Sequence, residues 1–262
     1  MKDLIFLPGG NHGSWCWSYL LTELMKTPAI FGRLITLDVP GAGTKRGQEA
    51  SGQTIASIAR GLNDELRSAQ VRKGVLIGHS LAGVLMPVMA ADDAALFSQL
   101  IFLQTSAPKE GQSVLDLMGT GLHGEDPERV GYPADPTGRR SRERFAAFFG
   151  VDFTQEQLRW ALDEMALDTT PNALVAEPVT RQGYEPALFR TAYVLAKRDP
   201  VLPPAWQRRF AERLGCTQIV ELDTPHEPFI SHPKLLAETL RALLSTASMS
   251  RDLPTQQVTP DG

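Results

Sequence analysis

Short apolar runs alternate with amphipathic stretches along residues 1–105 and again along residues 190–245. Several of the runs are apolar throughout, which is typical of strands that are covered by helices on both faces of a parallel sheet. The stretches between them repeat apolar residues at helical spacing, so that Ile58, Leu62 and Leu66, for example, share one helix face. This alternation predicts an α/β fold with a mostly parallel, doubly wound sheet.

The same pattern predicts individual elements. The predicted strands cover residues 4–7, 34–37, 75–77, 100–103, 192–195 and 218–222, and the predicted helices cover residues 54–68, 81–90, 205–214 and 234–244. Between residues 106 and 189 the alternation stops, and a stretch rich in glycine and proline precedes a helical pattern over residues 154–167. An insertion of this length between two strands predicts a helical cap.

These elements divide the chain into a core, a cap and a tail. Residues 1–105 and 190–245 form the predicted α/β core, and residues 106–189 form the predicted helical cap, or lid. The composition turns polar after Ser245, so residues 246–262 are predicted to be a disordered tail.

Composition and charge narrow the classes of partner. Of the 262 residues, 42% are apolar and 21% are charged, which allows a full hydrophobic core, and the net charge is −4. A chain with a pI of about 5.8 lacks the basic surface that binds nucleic acid or an anionic membrane. No apolar run in the sequence reaches membrane-spanning length. Cys16 and Cys216 lack the spacing of a disulfide framework or a metal site, which predicts reduced thiols in a cytoplasmic protein.

The strongest chemical signal is the sequence GHSLAG at residues 78–83, which follows a predicted strand and precedes a predicted helix. This context is that of a nucleophile elbow, in which a serine on a strained turn projects its hydroxyl clear of the sheet. The residues two before and two after the serine must be small, and Gly78 and Ala82 meet this requirement. The pattern therefore predicts Ser80 as a nucleophile.

A nucleophilic serine needs a base, normally a histidine held by a carboxylate. The chain has five histidines, of which His226 lies directly after the last predicted strand and before the last predicted helix. Hydrolases with the chain order serine, acid, histidine place their base there. His79 adjoins the serine and is expected to point away from it, and His123 falls within the predicted cap. We therefore predict His226 as the base.

The acid must follow a strand, lie between the serine and the histidine in the chain, and avoid the cap. Asp199, after the predicted strand 192–195, meets all three conditions. The other strand end at which such an acid occurs follows residue 103, where the chain has Gln104 and no carboxylate before Glu110. Asp223 is a weaker rival, because it shares the strand end of the histidine.

An oxyanion formed during acyl transfer needs two backbone N–H donors. We predict one at Leu81, directly after the nucleophile, and one at Gly10, in the glycine-rich turn after the first strand. In the same turn His12 either binds substrate or braces the loop, and the sequence favours bracing. Trp15 and Phe149 are candidate substrate contacts, although aromatic residues at such positions are more often part of the core.

Several motifs together resemble those of a known family. They are PGGNHGSWCW at residues 8–17, GHSLAG at 78–83, KRD at 197–199, PPAWQRRF at 203–210, and His226 before SHP at 231–233. Over most of residues 1–245 the chain resembles the plant-type methylesterase and hydroxynitrile lyase branch of the α/β-hydrolase superfamily, and similar bacterial carboxylesterases that include pyrethroid hydrolases. The resemblance implies an α/β-hydrolase fold, a triad of Ser80, Asp199 and His226, an oxyanion hole at Gly10 and Leu81, no cofactor, and a small helical lid over a mostly apolar pocket.

Three positions depart from the pattern of this branch. The usual His-Gly of the first loop is Pro8-Gly9, and Ala82 replaces a glycine. Glu227 stands where the lyases carry a lysine that handles cyanide, and a carboxylate there would repel cyanide. We expect Glu227 near the mouth of the site or just behind His226, where its negative charge would favour the imidazolium form of His226. The lyase reaction is therefore disfavoured.

The sequence predicts a serine carboxylesterase that hydrolyses small to medium hydrophobic esters through an acyl-enzyme. The expected partner is a small-molecule ester, with no cofactor or metal, and the expected protein is a cytoplasmic monomer or homodimer that binds neither nucleic acid nor membrane. One alternative is another reaction on the same frame: a lactonase, a hydroxynitrile lyase, a C–C hydrolase or a cofactor-free dioxygenase. The other is a ligand receptor with a hydrolase fold.

Overall fold

A six-stranded parallel sheet runs through the residues that the computed structural model describes, namely 1–27, 31–134 and 141–249. The strands lie in the order β2-β1-β3-β4-β5-β6 across the sheet. Their bounds are β1 (Leu4–Leu7), β2 (Leu34–Thr36), β3 (Gly74–His79), β4 (Phe97–Leu103), β5 (Arg190–Ala196) and β6 (Gln218–Leu222). Every predicted strand is present, with small differences at the ends, and the prediction of a parallel α/β sheet is confirmed.

Burial on both faces of the sheet explains why these strands are apolar throughout. In β1, Leu4 and Phe6 join the hydrophobic core on one face, whereas Ile5 and Leu7 join the core on the other. Successive side chains of a strand point to opposite faces, so a strand covered on both sides needs an apolar residue at every position.

Helices supply both covering layers. Their bounds are α1 (Ser18–Met25), α2 (Ile55–Ser68), α3 (Met86–Asp92), α4 (Val114–Met118), α5 (Ser141–Phe149), α6 (Gln155–Met165), α7 (Ala173–Ala176), α8 (Pro204–Arg213), α9 (Pro228–Ser231) and α10 (Pro233–Met249). On one face α1, α9 and α10 pack together, and on the other α2 packs against α3 while α8 contacts β5. The carboxyl ends of the parallel strands are left to the connecting loops, where ligand sites of such sheets form.

The predicted single helix over residues 81–90 is wrong, because two shorter helices replace it. A 3₁₀ turn covers Ser80–Val84, and α3 begins at Met86. Pro87 lies in the first turn of α3, where its missing amide hydrogen removes no helical hydrogen bond. Within one continuous helix the same proline would remove an interior hydrogen bond and clash with the preceding turn.

The insertion between β4 and β5 contains α4 to α7, and the predicted helix over residues 154–167 is observed as α6. Apart from a single bridge between Leu122 and Tyr132, no strand occurs in its described residues. At the other end of the chain, α10 continues to Met249 and so includes the beginning of the segment predicted as a tail. Residues 250–262 lie outside the described residues. Within the described residues, no helix is both long enough and apolar enough to cross a membrane.

Candidate active site

Ser80 occupies a sharp turn between β3 and the 3₁₀ turn Ser80–Val84. Its φ angle is +50°, in the left-handed region that residues other than glycine rarely adopt. A Cβ atom at Gly78 would lie 2.3 Å from Met86 Sδ and 2.9 Å from Ala82 Cβ. The strand and the following helix therefore approach so closely that position 78 has room only for glycine.

We expect Gly78→Ala to lower the free energy of unfolding by about 1–3 kcal/mol, because the added methyl group overpacks the contact with α3. Urea unfolding measures the change. The matched control is Gly61→Ala in α2, since a Cβ atom at Gly61 would meet nothing within 4 Å. Alanine is expected to stabilise that exposed helical position by about 0.5–1 kcal/mol. A Gly78→Ala variant as stable as the wild type would contradict the steric argument.

The imidazole of His226 lies between the side chains of Ser80 and Asp199. Its Nε2 atom is 3.1 Å from Ser80 Oγ, and its Nδ1 atom is 2.7 Å from Asp199 Oδ2. A carboxylate only accepts hydrogen bonds, so Nδ1 carries the hydrogen and Nε2 is left to accept the hydroxyl hydrogen of Ser80. His226 and Asp199 are both buried. The structure thus brings together three side chains that the sequence places on three different strand ends.

Asp199 is held by further donors. Its Oδ1 atom accepts from the backbone amides of Val201 (2.8 Å) and Leu202 (2.9 Å). The side-chain amide of Gln207 in α8 donates to Oδ2 over 3.3 Å. These bonds orient the carboxylate so that Oδ2 faces His226. Sequence reasoning missed Gln207, because one glutamine on an otherwise ordinary amphipathic helix carries no signal.

The two other candidate positions for the acid have different partners. Asp223 forms an ion pair with Arg198 at 3.1 Å, and the side chain of Asp223 is 68% exposed. Gln104 is buried and donates from its side-chain amide to the carbonyl oxygen of Val194 over 2.8 Å. Neither side chain is bonded to the imidazole.

His79 supports the backbone of the predicted base. Its Nε2 atom donates to the carbonyl oxygen of His226 over 3.0 Å, and its ring lies edge-on to Phe229. Burial, together with the neighbouring rings of His226 and His12, holds the pKa of His79 well below its ordinary value. His79 is therefore neutral and carries its hydrogen on Nε2. No group of three His, Cys, Asp or Glu side chains in the described part of the chain is arranged to hold a metal ion.

The loop after β1 brings Gly10 next to Leu81. A Cβ atom at Gly10 would lie 3.2 Å from Leu81 Cδ2 and 3.3 Å from Thr170 Oγ1, so the backbone approaches both residues closely. The amide of Asn11 donates to Thr170 Oγ1 over 2.8 Å, and the Thr170 hydroxyl donates to Asn11 Oδ1 over 2.9 Å. Thr170 belongs to the insertion and was not singled out in the sequence, since a lone threonine there has no pattern.

His12 lies behind this loop and braces it. Its Nδ1 atom is 2.7 Å from the carbonyl oxygen of Gly10. Its Nε2 atom is 2.9 Å from Glu227 Oε1, although the oxygen lies off the N–H axis, so that this is a close charge contact rather than an aligned hydrogen bond. Both ring nitrogens of His12 therefore have protein partners, although the ring also forms part of the cavity wall.

The contact with His12 excludes one of the two expected positions of Glu227, the mouth of the site. Its side chain is fully buried, and its carboxylate pairs with His12 instead of lying at the mouth of the site. Glu227 is not on the wall of the cavity beside Ser80. Repulsion of cyanide by Glu227 is therefore not a valid reason to disfavour a lyase. The remaining argument against a lyase is that position 227 does not carry the lysine of the lyases.

A cavity beside Ser80 adjoins a second cavity. The first has a volume of about 300 Å³ and reaches Ser80 and His226. The second has a volume of about 470 Å³, and the walls of both cavities include Tyr132, Phe149 and Val201. The other residues around the second cavity are Met118, Leu122, Pro133, Arg144, Phe145 and Phe148. Phe149, a candidate substrate contact, thus lies on the wall of both cavities.

Trp15, the other aromatic candidate for a substrate contact, lies outside the walls of both cavities. Its indole stacks on the ring of His12 with centroids 5.3 Å apart, and its Nε1 donates to Asp168 Oδ2 over 2.6 Å. Asp168 Oδ1 also accepts from the Gly43 amide (2.9 Å) and from Arg46 Nε (2.5 Å). Trp15 therefore takes part in the partly buried hydrogen bonds that attach the insertion to the core.

Comparison with known proteins agrees with the fold described above. The sequence pattern of the Alpha/beta hydrolase family matches residues 4–239. Methylesterase 9 of Arabidopsis thaliana is 23% identical over 253 residues, which cover 92% of this chain and 97% of that protein. The carbendazim hydrolyzing esterase of Nocardioides sp. (strain SG-4G) is 22% identical over 250 residues, covering 93% and 100%. The crystal structure of a pyrethroid hydrolase from Sphingobium faniae JZ-2 has a TM-score of 0.70 at 21% identity, covering 93% and 97%.

These matches extend over almost the whole described chain, and they include both the plant methylesterases and the bacterial esterases that the motifs resemble. In this chain the sharp turn at Ser80 follows the third strand of the sheet in chain order. The chain belongs to the α/β-hydrolase family.

Proposed function

We propose that the chain is a serine carboxylesterase that hydrolyses small to medium hydrophobic esters through an acyl-enzyme. The observation that carries the proposal is the line of contacts from Ser80 Oγ to His226 Nε2 (3.1 Å) and from His226 Nδ1 to Asp199 (2.7 Å), beside a cavity. The names of the two sequence relatives, a methylesterase and a carbendazim hydrolyzing esterase, support ester hydrolysis.

In the first half of the reaction, Ser80 Oγ attacks the carbonyl carbon of the ester while His226 Nε2 accepts the hydroxyl proton. Asp199 keeps the hydrogen of His226 on Nδ1 and stabilises the imidazolium that forms. The carbonyl oxygen gains the negative charge and accepts hydrogen bonds from the amides of Gly10 and Leu81. The Leu81 amide is free for this role, because amides in the first turn of a helix have no partner within it.

The tetrahedral intermediate then collapses, and the imidazolium of His226 gives its proton to the departing alkoxide, which leaves as the alcohol. The acyl group is then bound to Ser80 Oγ as an ester. A water molecule gives its proton to His226 and attacks this ester, and the second collapse returns the proton to Ser80 and releases the carboxylic acid.

The cavities support an apolar substrate of moderate size. The cavity of about 300 Å³ beside Ser80 holds one part of an ester, and the adjoining cavity of about 470 Å³ accommodates the other part. Phe149 and Val201 present hydrocarbon on the wall between them, and burial of apolar substrate surface there contributes about 25 cal/mol per Å².

A fluorophosphonate and an aryl ester series test the proposal together. We expect the fluorophosphonate to attach to one residue per chain, located at Ser80 by mass spectrometry of the peptides, and to stop hydrolysis in parallel. We also expect turnover of many equivalents of an aryl ester, which a ligand receptor would not give. Labelling at another residue, or release of cyanide from mandelonitrile faster than hydrolysis of any aryl ester, would overturn the proposal.

A further inference from the structure

Two titratable side chains meet in the interior behind the loop that carries Gly10. His12 is 1% exposed and Glu227 is fully buried. Nδ1 of His12 lies 2.7 Å from the Gly10 carbonyl oxygen, and Nε2 lies 2.9 Å from Glu227 Oε1. The proposed mechanism uses neither side chain directly, although it takes one oxyanion donor from Gly10.

The geometry determines where the pair holds its hydrogens. The Gly10 carbonyl oxygen only accepts hydrogen bonds, so Nδ1 of His12 carries a hydrogen. If Nε2 were bare and the carboxylate ionised, an electron-rich ring nitrogen would lie 2.9 Å from a negatively charged oxygen in a buried place. One further proton, shared by His12 and Glu227, removes this repulsion. Since neither oxygen of Glu227 has an aligned hydrogen-bond partner among the described residues, the positive charge of His12 is what compensates the carboxylate.

The peptide bond between Gly10 and Asn11 is held at both of its polar ends. His12 Nδ1 donates to its carbonyl oxygen, and Thr170 Oγ1 accepts from its amide over 2.8 Å. A peptide bond is planar, so these two bonds fix the peptide plane that follows Gly10, and they restrict from that side the direction of the Gly10 amide, which belongs to the peptide bond before it. Oxyanion stabilisation depends on donors aimed in advance at the developing charge, which makes this direction important for the rate.

We propose that His12 and Glu227 form a positioning pair, which holds the oxyanion loop through the Gly10 carbonyl oxygen only while the two side chains share a proton. The inference rests on the proposed esterase function, because it assigns a role to the loop in that reaction. Neither side chain touches the reacting atoms in this role, and both act through Gly10.

Loss of the shared proton to solvent releases the loop. An ionised Glu227 then attracts the one remaining hydrogen of His12 to Nε2, and a bare Nδ1 faces the Gly10 carbonyl oxygen. The other titratable groups around the pair are His79 at the end of β3 and Asp168 in the insertion, which interact with His12, and Cys16 in the 3₁₀ turn Ser14–Trp17, which interacts with Glu227. Burial alone would lower the pKa of His12, but the contact with Glu227, assisted by the hydrogen bond to the Gly10 carbonyl oxygen and by Asp168, outweighs burial and raises the pKa above its ordinary value of 6.5. The loop that carries Gly10 is therefore released as the pH rises through the raised pKa of His12.

The test compares the pH dependence of kcat in the wild type and in Glu227→Gln. We expect wild-type kcat to fall about tenfold at alkaline pH. Removing one oxyanion donor altogether lowers kcat by about 10²–10³-fold, and misdirecting the donor is expected to cost less. In Glu227→Gln we expect the side-chain amide to donate to His12 Nε2 at every pH. The ring hydrogen then stays on Nδ1 and is donated to the Gly10 carbonyl oxygen. We expect this variant to retain kcat within about threefold of the wild-type plateau and to lack the alkaline fall.

The matched control is Glu221→Gln, the same substitution at a 40% exposed side chain that pairs with Arg208. It is expected to keep the alkaline fall. A wild-type kcat that stays level at alkaline pH, or an equal fall in Glu227→Gln, would overturn the inference and leave Ser80 labelling and ester hydrolysis intact. Labelling at a residue other than Ser80 would instead overturn the proposed function.

Nitrogen NMR of wild-type protein with ¹⁵N-labelled histidine measures the protonation of the His12 ring nitrogens directly. It needs neither turnover nor a variant that must fold. We expect Nδ1 of His12 to carry a hydrogen at neutral pH, and the ring signals to titrate above pH 6.5 in step with kcat. A bare Nδ1 at neutral pH, or titration of His12 below its ordinary pKa, would contradict the inference.

Discussion

Replacing Ser80 with alanine is expected to lower kcat for an aryl ester by about 10⁴-fold or more and to abolish labelling by a fluorophosphonate. The hydroxyl lies 3.1 Å from His226 Nε2, and its removal takes away the atom that forms the acyl-enzyme. Nucleophile, base and acid act as a unit, so the loss of one removes most of the effect of the others. Single-turnover and steady-state hydrolysis, with labelling followed by mass spectrometry, measure both effects.

Ser106→Ala is the matched control, because Ser106 is a buried serine next to the same turn. Its backbone amide donates to the Ser80 carbonyl oxygen over 3.0 Å, and its hydroxyl has no hydrogen-bond partner in the described part of the chain. We expect Ser106→Ala to keep kcat within about threefold, since it removes no group that the mechanism uses. Labelling that survives in Ser80→Ala and disappears in Ser106→Ala would refute the assignment of the nucleophile.

Asp199→Asn is expected to lower kcat by up to about 10⁴-fold and to leave the fold intact. The amides of Val201 and Leu202 both donate to Oδ1, so the asparagine carbonyl oxygen must take that place. Its NH₂ group then faces His226 Nδ1, which is 2.7 Å from the carboxylate oxygen in the wild type. A donor in that position forces the hydrogen of His226 onto Nε2, and the imidazole can no longer accept the proton of Ser80.

Hydrolysis assays, with circular dichroism and thermal unfolding to check the fold, measure this effect. Asp223→Asn is the matched control, because Asp223 pairs with Arg198 at the surface and its side chain is 68% exposed. We expect less than about a twofold change in kcat from it, since exposed ion pairs contribute little. If Asp223→Asn were the more damaging variant, the acid would be wrongly assigned.

Much of the fold followed from local patterns. The six strands of the sheet were predicted because each is a short apolar run, and such runs are required where both faces of a sheet are covered. The turn at Ser80 was recognisable for a steric reason that neighbouring residues carry. Gly78, where a Cβ atom would lie 2.3 Å from Met86 Sδ, and Ala82 leave room for strand and helix to meet. Chain order and strand ends then sufficed to select Asp199 and His226 as side chains that would meet Ser80.

Other features depended on contacts between distant parts of the chain. Thr170 meets Asn11 across 159 residues, and nothing near either residue indicates the pair. Gln207 holds Asp199 because α8 packs against β5, which no periodicity within α8 could reveal. Trp15 was expected on the cavity wall, but its indole donates instead to Asp168 in the insertion through a partly buried hydrogen bond.

The sequence by itself thus determined the parallel sheet, the sharp turn at Ser80 and the strand ends from which Asp199 and His226 reach it. Burial pattern and local sterics specify these features residue by residue. Only the tertiary structure decided that the carboxylate of Glu227 turns to His12. A buried carboxylate is costly unless it is paired with a group that can carry the opposite charge, and here that group is His12. Which group lies nearest to Glu227 depends on how β1, β6 and the insertion pack.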